Sequence, residues 1–198
     1  LTDDPDNAPV AEEVVLSPRG DFAFVRQRGE EDLLIVDLKN GVVDRVPVGA
    51  DPTDMDVNPD GDSLAVVARS AREVWSFDVA DPYGAPTVTA FPSDSAYGSI
   101  SFAGDGGRAL LYTNASAIAR LAIWNVRDGT FEERSLVKPV SSVAISPAGD
   151  TAIVFHTKSD AADADDNEFT GEWAITLMQV GGRAENRLLL PAQPSGYS

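Results

Sequence analysis

One turn is written three times in this chain with nearly the same letters. It stands as LSPRGDFAFV at Leu16–Val25, as VNPDGDSLAVV at Val57–Val67 and as ISPAGDTAIVF at Ile145–Phe155. A looser version, ISFAGDGGRALLYT, keeps the Ser, Gly and Asp and places Phe102 where the others have Pro. With Ser17, Asn58, Ser101 and Ser146 as anchors, the intervals are 41, 43 and 45 residues. A period of this size marks one supersecondary unit used repeatedly, because a single unit cannot bury its own apolar face.

Each repeat has room for four strands. The segments EEVVLS, TDMDVN, YGSISF and SSVAIS precede the turn, with Leu16, Val57, Ile100 and Ile145 in one register. Val14, Met55, Gly98 and Val143 stand two residues earlier, so the spacing is the period of two that gives a strand one apolar face. In the turn, Ser or Asn accepts a backbone hydrogen bond, Pro presets φ and Gly takes the left-handed conformation. The second strands are FAFVRQ, SLAVVA, RALLYT and TAIVFH. The third strands, LLIVDL, VWSFDV, LAIWNV and ITLMQV, align Val36, Phe77, Trp124 and Met178. The fourth are more polar, as an outer edge should be.

Four strands per repeat predict an all-β chain, a β-propeller with four four-stranded antiparallel blades, part of a larger six- to eight-bladed ring. The expected parts are an acidic N-terminal extension at 1–9, blade 1 at 10–49, blade 2 at 50–93 and blade 3 at 94–138. Blade 4 covers 139–191 with an acidic insertion at 159–172, and 192–198 starts a further repeat. A closed four-bladed ring is the alternative. Leu1 in place of Met implies a removed leader or a longer parent chain. Open blade edges in such a piece predict self-association.

Charge narrows the partners. Thirty-two acidic against fifteen basic residues give a net charge of −17, which repels phosphate backbones and anionic lipid surfaces. Nucleic acid is therefore not an expected partner. No apolar run approaches the roughly 20 residues of a bilayer-spanning helix, so membrane insertion is not expected either. The absence of Cys excludes disulfides and thiolate metal sites, and a single His argues against a zinc centre. Abundant Asp with only three Lys suits a periplasmic or extracellular setting.

The segment VDRVPVGADPTDMDVNPDGDSLAVVARS, Val43–Ser70, resembles the YVTN-type bacterial propeller repeat, with its V-G-x-x-P approach, alternating strand and P-D-G turn. LYTN, Leu111–Asn114, is similar to that repeat's name-giving tetrapeptide, and IWN at Ile123–Asn125 resembles the WD-repeat dipeptide position. The resemblance implies a WD-repeat-like propeller of an exported bacterial protein. Related propellers include surface-layer proteins, lactonases and dehydrogenase subunits, so the fold implied leaves function open.

Candidate residues gather on the loops between second and third strands. Arg28, Arg69 and Arg72, with Arg26 beside them, have the chemistry to grip an anionic ligand, while Glu30, Glu31 and Glu73 offer surface ion pairs instead. His156 ends a second strand next to the acidic insertion, either as a general base or as a structural histidine. Asp163, Asp165 and Asn167 have the 1, 3, 5 spacing of a calcium loop. Glu168 stands where that loop needs Gly, and Ala174 where it needs Glu, so a solvated acidic loop is the competing reading. Trp75, Phe77 and Trp124 read as packing between blades.

These features predict a non-catalytic binding or scaffold propeller that engages a protein, glycan or partner domain through its loop face. The alternative is part of a lactonase-like or dehydrogenase-accessory enzyme whose site needs further blades.

Overall fold

The computed structural model describes residues 9–92, 94–162 and 165–194. The first sheet is β1 (Ala11–Leu16), β2 (Phe22–Gln27), β3 (Asp32–Asp37) and β4 (Val42–Pro47), hydrogen-bonded in that order. The second is β5 (Pro52–Val57), β6 (Ser63–Ala68), β7 (Glu73–Asp78) and β8 (Thr87–Ala90). The third is β9 (Ser99–Phe102), β10 (Arg108–Tyr112), β11 (Arg120–Asn125) and β12 (Thr130–Ser135). The fourth is β13 (Val140–Ile145), β14 (Thr151–His156), β15 (Trp173–Gln179) and β16 (Glu185–Leu190). All pairings are antiparallel, and no helix occurs among the described residues. Two compact units divide the chain, Leu1–Gly98 with the first two sheets and Ser99–Ser198 with the others.

The repeated turn is built by its own side chains. Ser17 Oγ accepts from the amides of Asp21 and Phe22 at 3.1 and 2.9 Å, and Asn58 Oδ1 accepts from Asp62 and Ser63 at 3.1 and 3.0 Å. Ser146 Oγ accepts from the Thr151 amide at 3.2 Å and donates to Asp150 Oδ1 at 2.8 Å. The bond to Ser146 holds the Asp150 carboxyl below its usual range. Gly20, Gly61 and Gly149 have φ of 69°, 75° and 72°, the left-handed conformation that the turn demands.

The third repeat needs a correction. Ser101 is not the turn anchor: it lies inside β9, paired with Leu110. Ala103 takes the anchoring position, its amide bonded to Arg108 O as Ser17's is to Phe22 O. Gly106, at φ 63°, closes the turn. Phe102, rather than Ile100, is therefore the counterpart of Leu16, Val57 and Ile145: it pairs with Ala109 as Leu16 pairs with Ala23. The physical reason is a connector two residues longer. Val57 lies nine positions after Val48 and Ile145 nine after Leu136, whereas Phe102 lies eleven after Phe91. Ala103 cannot supply the side-chain acceptor that Ser and Asn do, and Asp105 Oδ1 takes the Gly107 amide at 3.0 Å instead.

Each unit has its own core between its two sheets. In the first, Phe24, Leu33 and Ile35 pack with Met55, Leu64, Val66 and Phe77. In the second, Leu110, Leu121 and Ile123 pack with Val140, Val154 and Met178. Burying each such side chain contributes about 1.5–3 kcal/mol. The pairing of the first strand onto the second slips between Ala11 and Glu13, Pro52 and Asp54, and Val140 and Ser142. The same bulge thus recurs in three blades, where it increases the local twist.

Candidate functional site

An antiparallel four-strand order puts the loop between second and third strands at the end of each sheet opposite the repeated turn. In the first unit this end carries the arginines. Arg28 is 73% exposed, and its Nε donates to Glu12 Oε1 at 2.6 Å. Arg26 bridges Glu12 and Glu13 at 2.6 and 3.1 Å, and the two arginines hold the Glu12 carboxyl below its usual range. Arg69 pairs with Asp51 at 3.0 Å, and Arg72 with Asp94 at 2.7 Å. These partners come from the first strand and from the blade connectors, not from Glu30, Glu31 or Glu73. Glu30 lies 3.5 Å from Arg45, and Glu73 accepts the Trp75 indole N–H at 2.9 Å. Strand pairing brings the first strand's acids across from the second strand's arginines, a proximity invisible in linear spacing.

The connector into the second blade is tightly built. Asp51 in this connector and Arg72 in the loop between β6 and β7 adopt left-handed backbone at φ 57° and 59°, unusual for non-glycine residues. A Cβ on Gly49 would lie 2.8 Å from Ala68 Cβ and 2.8 Å from Trp75 Nε1. That crowding is the physical content of the V-G-x-x-P motif at this blade.

The second unit arranges the same end differently. Lys138 is 1% exposed, and its ammonium donates to Asp160 Oδ1 at 2.7 Å, Lys158 O at 2.9 Å and Phe169 O at 2.9 Å. All three of its donors are used. Asp160 Oδ2 accepts from the Gly171 amide at 2.9 Å, and the lysine holds this carboxyl below its usual range. Phe169 is buried beside it. The acidic insertion is therefore pinned at Asp160, Phe169 and Gly171, while Asp165, Asp166, Asn167 and Glu168 are exposed. Lys138 carried no functional signal beyond one cue: a lysine inside the apolar, Pro-flanked run LVKPV.

His156 is 2% exposed. One ring nitrogen, Nδ1, lies 3.3 Å from Pro139 O, and the other, Nε2, lies 2.8 Å from Thr176 Oγ1. Burial lowers its pKa, and the neighbouring Lys138 charge lowers it further. Of the calcium-spaced residues, Asp163 lies outside the described residues. Asn167 Oδ1 accepts from the Phe169 amide at 2.8 Å, and Asn167 Nδ2 donates to Asp165 O at 3.0 Å. Among the described residues no group of three or more His, Cys, Asp or Glu is placed to hold a metal. Trp124 packs between Phe102 and Phe131, with ring centroids 6.4 and 6.3 Å away.

No protein-family model matches the sequence. The search of curated proteins gives no match either. Solved structures do match. Hydrazine synthase of Kuenenia stuttgartiensis superposes with a TM-score of 0.71 at 16% identity, covering 96% of this chain and 51% of that one. The dihydro-heme d1 dehydrogenase NirN, in complex with DHE, gives 0.68 at 15% identity, over 96% of this chain and 39% of that one. The RRP9 WD40 repeats give 0.64 at 11%, over 91% and 51%. The chain thus spans about half the length of these structures, or less. At these identities the likeness concerns the fold alone, and the fold is that of the β-propeller.

Proposed function

We propose that the chain is a non-catalytic binding propeller of an exported protein with YVTN-type repeats, which engages a protein partner through the loop end of its second unit. The observation that carries this reading is the anchoring of the acidic insertion on Lys138. Anchored at Asp160, Phe169 and Gly171, the insertion presents the exposed Asp166, Glu168 and Glu172 close to fixed points, and preorganisation lowers the entropic cost of binding. Complementarity makes a basic protein surface the matching partner. The Asp-rich, Lys-poor composition supports a periplasmic or extracellular setting. Both nitrogens of His156 are engaged within the fold, so this histidine is read as structural.

Nona-arginine, titrated calorimetrically, serves as the basic probe. The triple variant Asp166→Asn/Glu168→Gln/Glu172→Gln should lose about tenfold in affinity. Neutralising Asp60, Asp81 and Asp105, at the turn ends, should cost less than about threefold. Equal losses would mean attraction by net charge alone and would sink the reading. Binding of a neutral oligosaccharide at the same loops would favour a glycan ligand instead.

A further inference from the structure

The loop between β10 and β11 reads TNASAIA, residues 113–119, and contains the triplet Asn114-Ala115-Ser116. Asn-x-Ser/Thr, with x other than Pro, is the acceptor pattern for N-linked glycosylation, and a sugar attached there needs a surface loop. Of the seven asparagines in the chain, Asn114 alone stands in this pattern. Its surroundings set it apart as well. The side-chain amides of Asn40, Asn58, Asn125 and Asn167 donate to Asp37, Asp62, Asp128 and the Asp165 carbonyl, and Asn186 lies within β16. Asn114 and Ser116 are both exposed, and neither side chain is engaged among the described residues.

The backbone around the triplet is held by local bonds. The Ala115 amide donates to Thr113 Oγ1 at 3.2 Å, and the Ile118 amide to Ser116 O at 2.9 Å. Neither is a rung between β10 and β11, whose pairing ends at Leu111 and Ala122, so the triplet can bend into an enzyme's site with the sheet intact. Charge favours the same loop. Its counterparts in the other blades, residues 28–31, 69–72 and 157–172, all carry charged side chains, whereas 113–119 carries none. In a chain of net charge −17, this loop therefore places no carboxylate of its own against an anionic sugar-phosphate donor.

We propose that Asn114 is an N-glycosylation site, which takes an oligosaccharide from a lipid-linked donor through an oligosaccharyltransferase. The inference rests on the exported reading given above, because this modification belongs to secreted chains. In the transfer, Asn114 Nδ2 forms a bond to the anomeric carbon of an oligosaccharide carried on a lipid phosphate or pyrophosphate. The bond from that carbon to the phosphate oxygen breaks, and the lipid phosphate leaves with the electron pair. One Nδ2 proton passes to a base of the transferase. Nothing is oxidised or reduced.

Peptide mapping of the protein from its own source tests this. Trypsin cleaves after Arg108 and Arg120 and releases Ala109–Arg120, in which Asn114 is the only asparagine. Mass spectrometry should find this peptide carrying hexose or hexosamine units on the Asn114 amide. A bare peptide from exported chain would overturn the proposal. A chain recovered only inside the cell would instead sink the export reading, and the site with it. Variants made in the same host separate the acceptor pattern from chance attachment. Ser116→Ala should lower occupancy by about tenfold or more, whereas Ser116→Thr should keep it. Ser116 is exposed, so both variants should fold, which circular dichroism checks. Occupancy unchanged by Ser116→Ala would overturn the proposal too, as would sugar found on a hydroxyl of this peptide in place of Asn114.

Discussion

Ala50 and Lys138 occupy the same place in their repeats, two residues before β5 and β13 begin. Their surroundings are opposites. Around Ala50 the connector is held by backbone bonds, Arg69 N to Asp51 O and Ala71 N to Ala50 O, with the half-exposed Arg69–Asp51 pair outside. Around Lys138 the Thr157 amide bonds to Pro139 O in the same manner, but a long insertion folds over and buries a charge. The difference teaches that one backbone frame accepts either a surface ion pair or an internal cation. Only the second ties the ends of the loop down, at Asp160, Phe169 and Gly171.

The largest effect should come from breaking that internal cation. Lys138→Met leaves Asp160, Lys158 O and Phe169 O without their donor, and loss of one partner of a buried charge pair costs about 3–5 kcal/mol. Asp160 is partly exposed, so the lower end is expected, read as a shift in the urea midpoint. Proteolysis should concentrate between 157 and 172. An unchanged midpoint would make Ala50 and Lys138 equivalent after all. Calcium offers a sharper contrast. Titration into the wild-type chain should give no heat at millimolar concentration, because Asn167 Oδ1 and both oxygens of Asp160 are engaged. Heat abolished by Asp165→Asn would make a metal, not the lysine, the organising charge.

Next in size is Gly49, whose counterpart in the second unit is Val137. The Val is accommodated there, whereas at Gly49 a Cβ would meet Ala68, Ala71 and Trp75 within 2.9 Å. Gly49→Ala should cost about 1–3 kcal/mol by overpacking, and Val137→Ala should cost less. Thermal melts of both variants test the order.

Most of this frame was legible. Period-two apolar spacing gave the strands, and Ser17, Asn58 and Ser146 gave three turns, because their chemistry is local. The third turn was misplaced by two residues, since Ser101 imitates an anchor and the longer connector from Phe91 leaves no local mark. The loop ends were least legible. Glu12 meets Arg28, and Asp160 meets Lys138, only through strand pairing and the return of the insertion, contacts between residues far apart in sequence.

The two units should also differ in their response to pH. Burial lowers the His156 pKa below its free value of 6.5, so the unfolded chain binds its proton more readily. Stability is then full above that value and falls as pH drops from 6.5 toward the folded pKa. Asp160 and Asp150 are lowered from 3.8, so their contributions are full above 3.8 and are lost only as pH falls from there toward their lower folded values. Between about pH 7.5 and 5 the loss should therefore centre on the second unit. His156→Gln should flatten it while keeping partners for Pro139 O and Thr176. An equal slope in that variant would assign the titration elsewhere.

The smallest effects should come from the arginine pairs of the first unit, and their smallness is what the comparison requires. Arg69–Asp51 is a third to two-fifths exposed on each side chain, and in Arg72–Asp94 the aspartate is fully exposed. Exposed pairs typically contribute about 0.2–1 kcal/mol, because solvent screens them and both side chains lose freedom. A double-mutant cycle on Arg69 and Asp51 should thus give coupling of about 0.5 kcal/mol. Asp51 needs care, since its left-handed backbone makes Asp51→Asn a gentler change than Asp51→Ala. The Arg72–Asp94 cycle should give less, fading as salt rises. Coupling above about 2 kcal/mol in either cycle would place a strong charge interaction at the first unit's loop end as well. The contrast between Ala50 and Lys138 would then be one of sequence only.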